Sequence, residues 1–201
     1  MTVVPSPEVR RGPGRPRSES VKKAVLAATL DLIDEVGFRR LTIEGVAARA
    51  RCGKATIYRW WPTKGQLVME AFFSSGVPDT PYPDTGSVRE DFRRQMQLLA
   101  RLFASPKGRQ IAMLIGSGQD DAELLTAFRD HFLAPRRAEA VQILLRGTRR
   151  GELRGEVFSE VALDALYGPL FFRLLSGQGG LTPDYVDALC DLVMVGLAKA
   201  R

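Results

Sequence analysis

Cysteine and histidine are nearly absent from this chain of 201 residues, which contains two cysteines and one histidine. Cys52 and Cys190 lie far apart in the sequence, so we expect neither a Cys/His zinc site nor a disulfide framework. His131 is the single histidine, and no Gly-rich phosphate loop is present. These residues leave little from which to build a catalytic site. We therefore expect no metal, no cofactor and no enzymatic activity, with His131 as a surface or boundary residue that binds no ligand.

Long apolar runs are also missing. The opening stretch MTVVPSPEVRRGPGRPR has no apolar core of the signal-peptide kind. No later run reaches the roughly 18 apolar residues of a membrane-spanning helix, so we expect a cytoplasmic protein without a membrane partner. Alternating strand patterns and internal repeats are absent as well, which favours an all-α fold.

Positive charge is present in excess, but only in the first third of the chain. The net charge is +6; residues 1–76 hold 13 Lys+Arg against 7 Asp+Glu, and residues 77–201 hold 16 of each. Charge confined to one module indicates a polyanionic partner, either nucleic acid or a membrane surface. A basic surface that is merely solvated is the alternative.

Helical periodicity covers most of the chain, with cap residues before several segments. Thr42 is a favourable N-cap residue, Ser87 with Glu90 forms a capping box, and Thr182 precedes a proline at the first helical position. The predicted helices span about 20–36, 43–50, 54–61, 64–73, 87–103, 107–117, 121–133, 135–150, 159–176 and 183–199.

Two of these helices are short and are joined by the tight turn Arg-Cys-Gly. A helix pair of this size suits a helix-turn-helix, whose second helix enters the major groove of DNA. Val46 and Ile57 are expected to fill the space between the helices, with Ala47 and Ala50 allowing close contact. The hydrogen-bond donors on the outer face are then candidates for DNA contacts: Thr42, Lys54, Thr56, Tyr58, Arg59 and, at the start of the next helix, Lys64.

The two tryptophans of the chain stand side by side in GKATIYRWWPTK, residues 53–64. Trp61 lies four residues after Ile57 and should share its inward face, so we predict that Trp61 belongs to the core. Trp60 is turned about 100° away, and we predict that it lies at the DNA-facing rim, where its indole N–H can reach a phosphate. A purely structural role is the alternative for Trp60.

The stretch LTIEGVAARARCGKATIYRWWPTKGQLV resembles the DNA-binding domain of the TetR family of bacterial transcriptional regulators. The resemblance covers about residues 20–73 and rests on linked positions at fixed spacing: Thr42, Ala47, Ala50, Lys54, Thr56, Ile57, Tyr58, Trp60, Trp61, Pro62, Thr63, Lys64 and Leu67. It departs from the family pattern at Arg51, where glycine is usual. In this chain the glycine of the turn comes two residues later, at Gly53. A left-handed arginine is unfavourable, so we expect the turn to be reshaped.

The resemblance implies a chain divided into four segments. We predict a flexible basic arm over 1–18, a DNA-binding domain over 19–74 with its helix-turn-helix at about 42–61, a linker over 75–86, and a ligand-binding and dimerisation domain over 87–201. The arm includes RRGPGRPR, which resembles an AT-hook, and Arg15 and Arg17 are candidates for minor-groove contacts. A disordered tail that adds only nonspecific affinity is the alternative.

The last two helices are apolar on more than one side and must therefore be buried on more than one side. Self-association about a two-fold axis is the simplest solution, and a monomeric core is the alternative. We predict a homodimer whose interface includes Val161, Leu166, Phe172, Val186, Leu189, Val193 and Leu197.

Aromatic and methionine side chains in the second domain are candidates for a ligand pocket, since the family often has one there. These residues are Phe92, Met96, Leu99, Phe103, Met113, Phe128, Phe132, Tyr167 and Phe171. On sequence alone, such a stripe at helical spacing is more often a plain helical core. Arg136 and Arg137, together with the Gly168-Pro169 pair, suggest a kinked pocket with a polar lip.

The sequence thus predicts a ligand-responsive homodimeric repressor. It would bind double-stranded DNA at a palindromic operator through the helix-turn-helix and be released by a small-molecule effector. Two rival hypotheses are a helical enzyme and an architectural DNA-binding protein that uses the basic arm alone.

Overall fold

The computed structural model describes residues 16–76, 80–155 and 157–198, with side chains from Glu19 onward. Helices dominate these ranges, and the all-α prediction is confirmed. The only β-type pairing in the described part of the chain is an isolated antiparallel bridge between Leu153 and Ala198. Two compact units are present, and they divide between Pro62 and Thr63.

The first unit contains three helices, which we number in chain order: α1 (Pro16–Arg40), α2 (Ile43–Arg49) and α3 (Lys54–Trp60). Thr42 caps α2 as predicted, because its hydroxyl oxygen accepts the backbone N–H of Gly45 at 3.1 Å. Helix α1 starts earlier than the predicted residue 20 and passes through a non-helical residue, Gly37, at φ 75° and ψ 166°.

The turn between α2 and α3 keeps its tight form, contrary to our expectation that it is reshaped. Arg51 adopts a positive φ of 52°, and the N–H of Cys52 closes the turn on the Ala47 carbonyl at 3.0 Å. Gly53 has an ordinary φ of −79°, so this glycine does not relieve the turn. The arginine itself takes the left-handed conformation that glycine usually occupies.

The second unit contains the remaining helices. They are α4 (Lys64–Ser74), α5 (Val88–Ala104), α6 (Pro106–Gly118), α7 (Ala122–Phe128), α8 (Ala134–Arg150), α9 (Ser159–Ser176) and α10 (Pro183–Leu197). Helix α5 is central and packs against α6, α8, α9 and α10, whereas α4 packs against α7. Helix α4 lies within the predicted DNA-binding domain, whereas its packing places it in this second unit; the predicted domain limits stay predictions.

Of the two caps predicted in this unit, that of Thr182 is present and that of Ser87 is not. The hydroxyls of Thr63 and Thr182 accept the N–H groups of Gln66 and Tyr185, at 3.2 and 3.3 Å. Ser87 occupies the N-cap position of α5 without a side-chain cap bond, so the predicted capping box is wrong. The N–H of Val88 instead donates to a carboxylate oxygen of Glu152 at 2.8 Å, a partner that is distant in the sequence.

A π-helical turn, Arg129–Leu133, joins α7 to α8 where the sequence predicted an ordinary helix end. The N–H of Ala134 reaches back five residues to the Arg129 carbonyl. Pro135 follows directly; it has no N–H, and its ring clashes with the carbonyl four residues before it in a regular α-helix. The wider turn accommodates the proline, and π turns of this kind are frequent at functional sites.

Residues 80–87, which include the last seven residues of the predicted linker (75–86), form an irregular strap fastened to α5 and α8. Arg146 donates to the Pro83 carbonyl at 2.8 Å, and Arg150 to the Asp84 carboxylate at 2.5 Å. Asp91 on α5 is fully buried, and one of its carboxylate oxygens accepts both the backbone N–H and the hydroxyl of Thr85 at 2.7 Å. The strap is therefore an integral wall of the second unit.

Candidate functional site

Helices α2 and α3 pack through the small and apolar residues that the sequence indicated. Val46 and Ile57 are fully buried, and Ala47 is also part of the core. With this face turned inward, α3 directs its polar residues outward. Lys54, Tyr58 and Arg59 are exposed, Thr56 is half-buried, and Thr42 at the start of α2 is exposed.

These five side chains provide hydrogen-bond donors of several kinds. A lysine and an arginine supply charged donors, while threonine and tyrosine supply hydroxyls that both donate and accept. Donors of this type form most protein contacts to phosphate oxygens and to base edges. The exposed face of α3 is therefore a candidate nucleic-acid interface.

Lys54 is paired with an acidic residue of the preceding helix. Its ammonium lies 2.9 Å from a carboxylate oxygen of Glu44, and both side chains are largely exposed. This hydrogen bond lowers the pKa of Glu44 and raises the pKa of Lys54. The sequence did not predict this pair. Glu44 lies in the first turn of α2 and Lys54 in the first turn of α3, and their opposite charges were the available signal.

A second ion pair joins α1 to α2. Both terminal nitrogens of Arg49 donate to Glu35, at 2.6 and 2.7 Å, and this bond lowers the pKa of Glu35. The bidentate geometry orients both planar groups. The pair fixes α2, on which α3 packs, against α1.

The two tryptophans differ in burial. Trp61 is 2% exposed and belongs to the core, which confirms that prediction. Trp60 is half-buried; its ring meets that of Trp61 edge to face at 5.4 Å, and the Arg59 guanidinium lies over it at 5.4 Å. The predicted phosphate contact of Trp60 stays a prediction.

The other predicted DNA contacts lie elsewhere. Lys64 belongs to the second unit, where its ammonium lies 3.9 Å from an Asp121 carboxylate oxygen. Arg15 lies outside the described residues, and of Arg17 the structure describes only the backbone, in the first turn of α1. The minor-groove role of the arm therefore stays a prediction.

The second unit contains a small, mostly apolar cavity of about 40 Å³. The strap, α5, the π turn, α8 and α9 contribute its walls, with these lining residues: Tyr82, Gln95, Leu99, Phe132, Leu133, Arg136, Arg137, Tyr167 and Phe171. Of the nine predicted pocket residues, Leu99, Phe132, Tyr167 and Phe171 are in this set.

The other predicted pocket residues do not line the cavity. Phe92, Met96, Phe103 and Phe128 are buried in the core of the second unit. Met113 is 45% exposed and lies on the solvent face of α6, whose inward positions include Ile111 and Leu114; its assignment to a pocket stays a prediction. Arg136 and Arg137 do line the cavity.

Polar groups in the cavity form a chain of interactions that no sequence pattern predicted. The Tyr167 hydroxyl donates to the Gln95 side-chain carbonyl at 2.7 Å. Tyr82 interacts with both Tyr167 and Arg136, while burial raises the pKa of Tyr82 to about 12. Burial also raises the pKa of Tyr167 well above its usual value. Both phenols therefore remain protonated near neutral pH.

Gln95 itself could have been found from the sequence. It lies three residues after Phe92 and four before Leu99, so it occupies the apolar stripe of α5. A polar residue at such a position is unusual unless it has a buried partner. Tyr82 offered no comparable signal, because it lies in a Pro-rich stretch without periodicity.

Helices α9 and α10 expose several large apolar side chains. Only some of the residues predicted for the dimer interface are among them. Phe172 is 60% and Leu192 is 75% exposed, and Val161 is exposed too. Leu166, Val186 and Leu197 are buried within the single chain, and their assignment to a dimer interface stays a prediction. Leu189 and Val193 are half-buried. Phe158, Leu175 and Val195 join the exposed set.

His131 is exposed, as predicted. Within the described residues no group of three or more potential metal ligands comes together. None of the helices described is both long enough and apolar enough to span a membrane.

Comparisons with known proteins match both parts of the chain. Residues 25–71 match the family profile described as bacterial regulatory proteins, tetR family. Residues 82–193 match the tetracyclin repressor-like C-terminal domain.

Individual relatives agree with this. An uncharacterized HTH-type transcriptional regulator of Bacillus subtilis, YdeS, is 42% identical over 181 residues, which is 90% of either chain. A DNA-binding transcriptional repressor TetR of Mycobacteroides abscessus is 30% identical over 91% of this chain and 96% of its own. A crystal structure of a TetR family transcription regulator superposes with a TM-score of 0.70 and 34% identity, covering 90% of this chain and all of that one.

Proposed function

The chain belongs to the TetR family of bacterial DNA-binding transcriptional regulators, and from that premise we propose that it is a ligand-responsive homodimeric repressor. It binds a palindromic operator through α2 and α3 and is released by a small-molecule effector. It acts in the cytoplasm and has no enzymatic activity of its own.

The observation that carries this proposal is the arrangement of α3. Its apolar side is held by a buried pair, Val46 and Ile57, and its other side presents Lys54, Tyr58 and Arg59 to solvent. A helix that is anchored on one side and carries donors on the other can enter the major groove without rearranging its own core. Thr42 and Thr56 add hydroxyl donors to phosphate or base edges.

Dimerisation through α9 and α10 is supported by their exposed apolar side chains. A monomer rarely exposes a large contiguous apolar patch, and a two-fold interface covers the same residues on both protomers. Two copies then supply two recognition helices, as a palindromic operator requires. The proposed interface consists of Val161, Phe172, Leu175, Leu192 and Val195, with Leu189 and Val193 at its edge.

The effector site of this proposal is the cavity beside α5. An effector that binds better to one dimer conformation shifts the population toward it. Repression ends when the favoured conformation no longer fits both half-sites.

The experiment that tests DNA binding uses the DNA flanking the gene of this protein and an unrelated duplex as competitor. Lys54→Ala and Tyr58→Phe each remove one outward donor, and we expect each to weaken binding by about ten-fold, in keeping with about 1–3 kcal/mol per specific contact. Arg101→Ala on the exposed face of α5 removes a cation elsewhere and serves as the control. Circular dichroism verifies that each variant unfolds at the wild-type temperature. Wild-type affinity in both α3 variants would overturn the assignment.

Two further measurements separate the rival functions. Affinity should fall steeply with salt, because each neutralised phosphate releases counterions. Deletion of residues 1–17, which removes both Arg15 and Arg17, should weaken binding if α3 is the reading element and abolish it if the arm acts alone. Turnover of a bound small molecule would favour the enzyme hypothesis.

A further inference from the structure

The cavity in the second unit carries information about the chemical class of its ligand. This inference rests on the proposed function, in which the cavity is the effector site. The cavity combines apolar walls with two polar residues: Gln95, whose amide nitrogen has no hydrogen-bond partner, and the cationic Arg136. Together they indicate which ligand would complete the site.

Gln95 has an unused donor. Its side chain is 0% exposed and lines the cavity. The carbonyl oxygen of this amide accepts from Tyr167 at 2.7 Å, which leaves the nitrogen as the donor end. That nitrogen has no hydrogen-bond partner. Buried donors are nearly always paired in folded proteins, so a ligand oxygen that accepts from Gln95 would remove the deficit.

Arg136 places a positive charge at the cavity wall, and no carboxylate of the described residues neutralises it. Its guanidinium lies 4.9 Å from the centre of the Phe132 ring and donates to the Thr80 hydroxyl. No carboxylate of the described ranges forms an ion pair with it, whereas its neighbour Arg137 pairs with Glu160 and, at 2.8 Å, with Asp164. A cation left uncompensated at a cavity wall favours an anionic ligand.

The remaining walls are flat and apolar. Phe132 and Phe171 present aromatic rings, and Leu99 and Leu133 complete the lining. Phe171 is itself held edge to face against Phe103 at 4.9 Å. Aromatic walls of this kind suit a planar ring, which can stack or meet them edge on. With a volume of about 40 Å³, the cavity must widen to admit a ring.

We propose that this cavity binds an aromatic carboxylate. The ring lies against Phe132 and Phe171, one carboxylate oxygen accepts from the Gln95 amide nitrogen, and the negative charge faces Arg136. The Tyr82 and Tyr167 hydroxyls hold the two polar groups in position.

The test compares 2-naphthoate with 2-naphthamide, which share a ring system and differ in charge. Titration calorimetry on the full-length protein should show the carboxylate binding at least ten-fold more tightly than the amide. Gln95→Leu and Arg136→Gln should each weaken 2-naphthoate binding by ten-fold or more. Arg136→Gln should also remove the preference for the carboxylate, and Arg136→Lys should retain it. Arg101→Gln changes the net charge equally outside the cavity and should leave binding unchanged.

The same preparations are assayed for DNA binding without ligand, so that the two proposals fail separately. Wild-type protein that binds DNA but neither probe, or binds both probes equally, overturns the ligand class and leaves the regulator intact. Undiminished 2-naphthoate binding by Arg136→Gln overturns it as well. Protein that shows the carboxylate preference without binding DNA supports the cavity assignment and overturns the proposed function.

Discussion

Arg51 is the one non-glycine residue with a positive φ in the part of the chain that the structure describes. An L-residue in this conformation brings its Cβ close to the following carbonyl, at a cost of about 1–2 kcal/mol. The compact α2–α3 turn requires the conformation, and packing between the two helices enforces it. The helix-turn-helix therefore contains a locally unfavourable residue.

Replacing that residue with glycine should stabilise the protein. Arg51→Gly removes the Cβ clash but increases the conformational entropy of the unfolded chain, so we expect a net gain of about 0.5–1 kcal/mol in the free energy of unfolding. Urea denaturation measures it. Arg51→Ala retains the Cβ and should give no such gain. An equal gain in both variants would show that the arginine side chain, and not its backbone, is unfavourable.

Gly65 lies where α4 approaches α7 closely. A Cβ built at this position would lie 2.9 Å from the Glu123 carbonyl oxygen and 3.1 Å from the Leu124 Cα. Both obstructing atoms belong to the backbone, so they cannot turn aside as a flexible side chain would. Glycine is needed here for space, whatever its backbone angles.

We expect Gly65→Ala to destabilise the second unit by about 1–3 kcal/mol, because α4 has to move away from α7. Thermal or urea unfolding followed by circular dichroism measures the change. Gly116→Ala is the matched control: it lies in α6 with nothing within 4 Å of an added Cβ, and it should be neutral or stabilising by up to about 1 kcal/mol. Similar losses in both variants would contradict the close approach.

At the scale of elements, α2 and α3 are joined by the Glu44–Lys54 ion pair as well as by their core. An exposed pair of this kind contributes little to stability, about 0–1 kcal/mol. The effect of this pair on DNA binding should be larger. Glu44 binds the Lys54 ammonium group that would otherwise contact a phosphate, and its carboxylate adds a negative charge beside that phosphate.

Glu44→Gln should therefore tighten DNA binding by about three-fold and steepen the log–log dependence of affinity on salt by about one unit, since Lys54 becomes available to a phosphate. Fluorescence anisotropy at several salt concentrations measures both quantities. Asp34→Asn on the exposed surface of α1 changes the net charge equally. If it tightens binding as much as Glu44→Gln does, the effect is one of net charge and not of the ion pair.

The strap over residues 80–87 shows how an element without regular structure can define a site. Its composition, rich in proline and aspartate, predicted a linker. Three arginines of α8 bind it to the second unit, through Thr80, Pro83 and Asp84. Tyr82 thereby becomes a wall of the cavity.

At the scale of the whole molecule, the exposed apolar face of α9 and α10 is the feature that requires a partner. Phe172 contributes little to the core of its own chain, since more than half of its side chain is exposed. A charge at this position should therefore be tolerated by the fold of a single chain. In a two-fold interface, the same charge is buried twice without a partner, which is costly.

We accordingly expect Phe172→Glu to convert a dimer into a monomer, with helical content retained. Sedimentation equilibrium measures the mass and circular dichroism the helix content. Leu125→Glu, on the exposed side of α7, should leave the dimer intact. A Phe172→Glu protein that stays dimeric would place the interface on a different surface.

Periodicity and cap residues determined much of this protein directly. They predicted an all-α chain, the paired short helices with Val46 and Ile57 between them, and the buried position of Trp61. Each depends on residues within one or two turns of each other, where helical geometry fixes which side chains share a face. The motif around Lys54 and Tyr58 is local in the same sense, so the family could be identified from the residues alone.

Only the tertiary structure decided which apolar and polar residues meet. Helix α9 is apolar around most of its circumference, so periodicity could not tell that Leu166 is buried and Phe172 exposed. The Gln95–Tyr167 and Arg146–Pro83 hydrogen bonds join residues 72 and 63 positions apart. Burial and pairing of this kind depend on how helices distant in sequence pack together, and no local pattern encodes that packing.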